Sequence, residues 1–266
     1  MLYTKKTFDY EHSSKEADIA LLGIPWDYSQ TGYPTRYGPM FIREALKNVV
    51  GYDNETKCNV FEKYKFCDLG DVEVVPGNWK LTQERIIDTI KNMFEVNPNI
   101  FPIIIGGDHL ITLGVVNAIK KIKGNFTIVD FDAHMDLMND FLGERYSHFT
   151  WARHIPKGID LRQLGIRSFA KEEESVAKKL KIKNGLNEIK GASYITVDLD
   201  VLETSDVGTP EPNGMKFNDF TKLLKKAFES KVIGMDIVES AAITIGSESA
   251  ILGANIVKKA LGYRKA

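Results

Sequence analysis

Cysteine and long apolar runs, each the mark of a whole class of proteins, are nearly missing from this chain of 266 residues. Cysteine occurs twice, at Cys58 and Cys67, which fits neither a disulfide framework nor a zinc cluster, so each reads as a small residue to be buried. The longest apolar stretches, Ile19 to Ile24 and Phe101 to Ile105, are strand-sized and fall far short of the ~18 residues that span a bilayer. The amino-terminal stretch carries Lys5 and Lys6 but stays polar through Asp18; no signal-peptide core follows the positive charges, and the expected location is the cytoplasm. Nor does charge of one sign prevail, since 35 Lys and Arg face 36 Asp and Glu for a net charge of −1. That balance gives no basis for nucleic-acid or membrane-surface binding as the main role. Repeats, linkers and low-complexity segments are absent too, and the length suits one hydrophobic core, so a single domain over residues 1–266 is expected.

What is present is an ordinary globular composition, 43% hydrophobic and 27% charged, arranged as strands alternating with helices. Strands are expected at Ala17 to Ile24, Lys65 to Leu69, Phe101 to Ile105, Phe126 to Val129, Leu161 to Ile166, Ser193 to Val197 and Val232 to Val238. Helical spacing predicts Gly38 to Asn48, a segment starting at Thr82 as its cap, and Leu110 to Lys121. It also predicts Lys171 to Lys183, a helix capped by Asn218, and Ser247 to Leu261. In the fourth of these the run Glu172 to Glu174 reads as a solvated first turn complementing the helix dipole. Such alternation implies an α/β fold with a mostly parallel sheet covered on both faces.

Parallel sheets bind ligands outside the carboxyl ends of their strands, and four of these strands run into ionisable residues there. Phe101 to Ile105 leads to His109, Phe126 to Val129 to Asp132, His134 and Asp136, Ser193 to Val197 to Asp198 and Asp200, and Val232 to Val238 to Glu239. In an extended backbone alternate side chains share a face, so Asp132, His134 and Asp136 would project together. Gathering that much negative charge is unfavourable unless cations neutralise it. Oxygen and nitrogen donors of this kind suit divalent ions such as Mn²⁺, and the inventory is right for two of them.

These residues also carry a resemblance. Gly106-Gly107-Asp108-His109, Phe131-Asp132-Ala133-His134-Met135-Asp136 and Asp198-Leu199-Asp200 resemble the three metal-binding motifs of the ureohydrolases, the arginase and agmatinase family. Gly38 to Arg43, Gly208 to Gly214 and Met235 to Glu239 look like its loop-to-helix segment, its Gly-Thr-Pro loop and its substrate-glutamate strand. The likeness implies a three-layer α-β-α architecture and two Mn²⁺ ions. One would be held by His109, Asp132, Asp136 and Asp198, the other by His134, Asp132, Asp198 and Asp200. It implies a hydroxide shared by the two ions, aimed by Asp136, that attacks a guanidinium carbon to yield urea and an amine. Glu239 would pair with the guanidinium, and His148 would shuttle protons, since an imidazole titrates near neutrality. Asp108 and Asp130 would be hydrogen-bonded acids behind the ligands, while His12 and His154 match no motif. Assembly as a homo-oligomer, a trimer or hexamer, is also implied.

For the substrate, a small cationic guanidino compound, the stretch from Asp136 to Arg153 looks more like agmatinases than arginases, which implies hydrolysis of agmatine to putrescine and urea. An acid-lined pocket would suit the amine tail, with Asp140, Glu144 and Glu211 as candidates. Phe149 departs from the small residue many agmatinases carry after the shuttle histidine. Its ring could reshape that pocket, which keeps guanidinobutyrate, arginine and formiminoglutamate as alternative substrates. A non-catalytic paralogue would be expected to have lost some of these residues, and none is lost here.

Overall fold

In the computed structural model the chain is described over residues 12–28, 33–187 and 189–265. Lys5, Lys6 and Gly32 lie outside the described residues. In chain order the elements are β1 (Ile19–Ile24), α1 (Gly38–Leu46), β2 (Tyr52–Asp53), β3 (Cys58–Asn59), α2 (Val60–Lys63), β4 (Phe66–Asp71), α3 (Trp79–Val96), β5 (Phe101–Gly106) and α4 (Ile111–Lys123). They continue with β6 (Thr127–Phe131), β7 (Asp160–Leu164), α5 (Lys171–Leu180), β8 (Lys183–Asn184), β9 (Ala192–Asp198), α6 (Phe217–Ala227), β10 (Lys231–Val238) and α7 (Glu248–Tyr263). Short 3₁₀ turns occupy His148–His154 and Leu199–Val201.

Eight strands form one sheet in the order β4-β1-β5-β10-β9-β6-β7-β8, and its pairings among the described residues are parallel. The middle strands are buried on both sides, which is why they read as continuous apolar runs rather than alternating ones. On one face Ile103, Ile105, Val129, Val197 and Ile237 pack with Ile42 of α1, Phe220 of α6 and Val257 of α7. On the other Ile104, Ile128 and Val238 pack with Ile86 and Ile90 of α3 and Val116 and Ile119 of α4. This is the three-layer α-β-α arrangement expected. The topology also puts β5, β10, β9 and β6 side by side, so the four strands that lead to ionisable residues are neighbours at the centre of one edge.

Several local expectations change. Helix α3 is capped by Asn78, whose side chain accepts from Leu81 N at 3.1 Å. Thr82 lies inside the helix and accepts instead from Val75 N at 2.9 Å. Lys216, not Asn218, precedes α6 and makes no side-chain cap. Helix α5 stops at Leu180 because Lys181 turns left-handed (φ 58°), and the next residues pair with β7 as the edge strand β8. Glu173 is buried rather than solvated; its carboxylate accepts from Leu137 N at 2.8 Å and Ala170 N at 2.6 Å. Burial raises its pKa, and the two backbone donors hold it in place. Cys67 is buried as expected, and Cys58 is half-buried on the β2–β3 hairpin.

Candidate active site

The central edge is built by backbone. β5 runs into Gly107, where a Cβ would collide with the carbonyl of Trp26. Only glycine lets the chain after β1 cross this closely, and Asp108 N then donates to that carbonyl at 2.8 Å. His109 follows as α4 begins, fully buried. β6 ends at Phe131, and the ligand triplet beyond it does not converge by strand alternation. Asp132 N bonds Leu164 O and the Ala133 carbonyl accepts from Arg167 and Ser168, hooking the segment onto the residues after β7. Asp136 then turns left-handed, at φ 55°. Such a conformation is strained for a residue with a side chain and marks functional turns. Glu239, ending β10, has φ 64°.

Two groups of potential ligand atoms result, His109 with Asp132 and Asp198, and Asp132 with His134 and Asp200. Within each the atoms lie within 4.8 Å of one another, and Asp132 is common to both. His109 Nδ1 is 3.0 Å from Asp132 Oδ2 and 3.3 Å from both Asp198 Oδ2 and Asp136 Oδ2. His134 Nδ1 is 2.9 Å from Asp200 Oδ2 and 3.6 Å from Asp132 Oδ1. All six predicted ligands are therefore brought together, although Asp136 joins only through its approach to His109 and Asp198 is absent from the second group.

The carboxylates are pre-aimed. Asp132 Oδ1 accepts from His134 N, Asp198 Oδ1 from Asp200 N, and Asp200 Oδ1 from Ala133 N, at 2.6, 2.9 and 2.9 Å. In each case Oδ2 is left facing an imidazole. Behind the cluster His109 Nε2 meets Thr196 Oγ1 at 2.9 Å, and Thr112 bonds both Thr196 and the buried Asp236. That contact directs Nδ1 inward, the orientation a metal-ligating histidine needs. Trp151 Nε1 donates to Asp136 Oδ2 at 2.7 Å. Asp130 accepts from Gln163 Nε2 at 3.0 Å, and Asp108 from Tyr28 N and Leu110 N, so both are buried, hydrogen-bonded acids.

Electrostatics expose the need for cations. Burial and the neighbouring Asp132 push Asp136 up to about 7, and burial with Asp200 and Asp132 holds Asp198 well above the usual carboxylate range. Asp200 and Asp130 are raised for the same reasons. Desolvation alone would lower His134, but Asp132 and Asp200 raise it to about 12, and His109 is likewise raised by its three carboxylates. Only Asp132, between both imidazoles, falls below its ordinary value despite burial. The site thus keeps protons where it would otherwise hold unpaired buried charge. His109 Nδ1 and Asp132 Oδ2 lie 3.0 Å apart, both buried, without a well-directed hydrogen bond, a geometry that suits a shared dication. The donor set fits a pair of divalent metal ions.

Glu239 Oε1 accepts from His109 N at 2.8 Å, and a Cβ on Gly208 would strike its Oε2. Gly208 thereby leaves this carboxylate room in its present position. Burial and Asp108 keep Glu239 well above its usual range. His148 is buried, and burial with the two ligand imidazoles lowers it to about 3. The near-neutral titration expected from an imidazole in water therefore does not hold in this setting.

Of the tail acids, Glu211 accepts from Ser168 Oγ at 2.8 Å and lies 3.5 Å from His134 Nε2. With Phe149 and Thr209 it lines a cavity of about 300 Å³. Phe149 stands edge-on to His134 at 5.1 Å between ring centroids and so narrows this side. Glu144 lines a separate cavity with Asp108, whereas Asp140 is exposed and accepts from Asn139. His12 is exposed and His154 Nε2 contacts Arg145 O, and neither belongs to the two ligand groups. Sequence reasoning missed Thr196 and Trp151, and it took Gly165 to Ser168 as agmatinase-like without giving Arg167 a role. Arg167 binds the carbonyls of Asp200, Glu211 and Pro212, fixing the 208–214 loop against the second ligand group. Thr196 was findable, since it sits two residues before Asp198 on the same face of β9.

A sequence model of the arginase family matches residues 17–262. The chain is 32% identical to the N(1)-aminopropylagmatine ureohydrolase of Thermococcus kodakarensis, covering 98% of this chain and 96% of the relative. It is 30% identical to the agmatinase of Pyrococcus horikoshii, covering 98% of both. The crystal structure of agmatine ureohydrolase from Thermoplasma volcanium superposes with a TM-score of 0.81 at 27% identity, covering 99% of this chain and 95% of that one.

Proposed function

This chain belongs to the arginase family and is a hydrolytic ureohydrolase; from that premise we propose that it cleaves agmatine to urea and putrescine with two Mn²⁺ ions. The observation that carries the reading is the pair of ligand groups sharing Asp132, with Glu239 beside them. His109, Asp132, Asp136 and Asp198 would hold one ion, and His134, Asp132, Asp198 and Asp200 the other. When bound, such a pair supplies a water acidic enough to act as nucleophile near neutral pH.

The protein's own groups then have distinct tasks. Glu239 offers a carboxylate to the planar, bidentate guanidinium. Asp136, fixed by Trp151, orients the attacking water through its oxygens. His148, held neutral by burial and by the two protonated ligand rings, would accept a proton once those rings lose theirs on becoming ligands, and would return it to the departing amine. The whole chain is read as one ureohydrolase domain of the cytoplasm that assembles as a trimer or hexamer. No helix among the described residues is long and apolar enough to cross a membrane.

A second reading, hydrolysis of an amine-extended agmatine, is favoured by the name of the Thermococcus relative. The test is urea release by Mn²⁺-supplemented protein from agmatine, N(1)-aminopropylagmatine, arginine and guanidinobutyrate. Turnover of an amine-tailed compound well above the other two supports the proposal, and preference for arginine or guanidinobutyrate overturns the substrate. No urea from any of them, with two metals bound, leaves a binding protein.

A further inference from the structure

A cavity of about 120 Å³ lies beside the ligand groups and is separate from the one that Glu211 lines. Its walls include Trp26, Tyr28 and Phe141, with Asp108 and Glu144 among them. Chain neighbours tie it to the reaction centre: Asp108 directly precedes His109, and Ser147, also in the wall, precedes His148. Phe141 stands edge-on to His148 at 5.4 Å between centroids, so one ring borders both. Trp26 and Tyr28 meet at 6.0 Å and 41°, forming two tilted walls. None of the described lining residues is basic. Tyr146 also touches the cavity, but Arg145 already lies 5.7 Å over its ring, so the available faces are those of the other three aromatics.

Aromatic faces attract cations electrostatically, and a desolvated ammonium gains most from them. An aromatic wall accepts an N-alkylated ammonium as well as a primary one, because the charge spreads onto the attached CH groups, whereas a seat made only of carboxylates depends on N–H donors. We propose that this cavity holds the distal ammonium of the substrate, with Trp26, Tyr28 and Phe141 as cation-binding walls and Glu144 as the counter-charge, which makes these four the residues that select an ammonium tail. This rests on the hydrolytic reading above and assigns the tail to this cavity rather than to the one that Glu211 lines.

The experiment uses the Mn²⁺-loaded protein and four probes: agmatine, its N-methylated amine, pentylguanidine as the neutral isostere, and guanidinobutyrate. Urea release gives kcat/KM and calorimetry gives Kd, for wild type and for Tyr28→Leu and Glu144→Gln, both at exposed positions. The expected result is a preference of about tenfold for either ammonium over the isostere, with the ratio falling toward one in both variants and guanidinobutyrate weakest. Urea release with an ammonium preference unmoved by both variants overturns the assignment and leaves the hydrolytic reading standing. Loss of the preference on N-methylation also overturns it. Ammonium-selective binding that depends on Tyr28 without urea from any probe upholds the seat and overturns the hydrolytic reading.

Discussion

Trp151 donates its indole N–H to Asp136 from the same short 3₁₀ turn that carries His148. Its ring also lies 4.6 Å from that of His109, so one fully buried side chain touches two candidate ligands. Trp151→Phe keeps a ring in place and removes only the donor. Outer partners of ligands are worth about 10–100-fold in metal affinity, so a metal titration of the variant should weaken within that range while circular dichroism stays unchanged. Unaltered affinity would show that Asp136 needs no help.

Metal uptake should release protons. Without metal, His134 is raised to about 12 and His109 stays protonated well above 6.5, so at pH 7 both rings carry a proton on the way to becoming ligands. Binding at Nδ1 must expel them, and the raised carboxyls of Asp136 and Asp198 give up theirs as well, so more than two protons leave per chain. Calorimetry in buffers of different ionisation enthalpy reads that number, and affinity should climb with pH. The metal-free chain shows the opposite trend: the raised His134 contributes stability that is complete below about 6.5 and is lost as pH rises towards 12.

Glu239→Gln leaves the His109 N–H an acceptor but removes the charge facing the substrate. A hydrogen bond to a charged group contributes about 1.5–3 kcal/mol, so kcat/KM for agmatine should drop by about ten- to a hundredfold at full metal occupancy. A large fall in metal content instead would reassign the residue.

Far from this edge, Glu55 accepts from Tyr263 OH at 2.6 Å and pairs with Lys225 and Lys259 at 2.9 and 3.0 Å. The hydrogen bond from Tyr263, then the lysines, lower its pKa from 4.5 to about 2. A lowered carboxylate stabilises the fold above its unfolded value, and the contribution is lost as pH falls from about 4.5 to about 2. Because the group is largely exposed, solvent screening limits it to about 1 kcal/mol or less. Glu55→Gln should therefore melt slightly below wild type at pH 7, and the gap should close towards pH 3. A gap that persists in acid would assign the effect to packing.

The central strands were legible because each is an apolar run that stops at an acid or a histidine, a pattern that burial on both faces imposes. Convergence of the ligands was legible for the same reason, though its means were not. Asp136 reaches the cluster through a left-handed turn and hooks onto the end of β7, which no periodicity announces. Glu173 looked like one of three solvated acids, yet it is the one that faces Leu137 N across 36 residues of chain. The β2–β3 hairpin, α2 and β8 escaped notice because two- to four-residue elements are set by contacts rather than pattern. Thr82 and Asn218 were sound capping residues by type, displaced by Asn78 and Lys216 once packing fixed where each helix begins.

The order of the sheet also sets a timetable. β9 and β10 are the last strands to leave the ribosome, yet they wedge between β5 and β6, which were made long before. His109 and Asp132 must therefore wait, apart and incomplete, until nearly the whole chain exists. Ion capture becomes a late checkpoint in biogenesis, and a chain truncated before β10 has no adjoining β5 and β9 on which to build the centre.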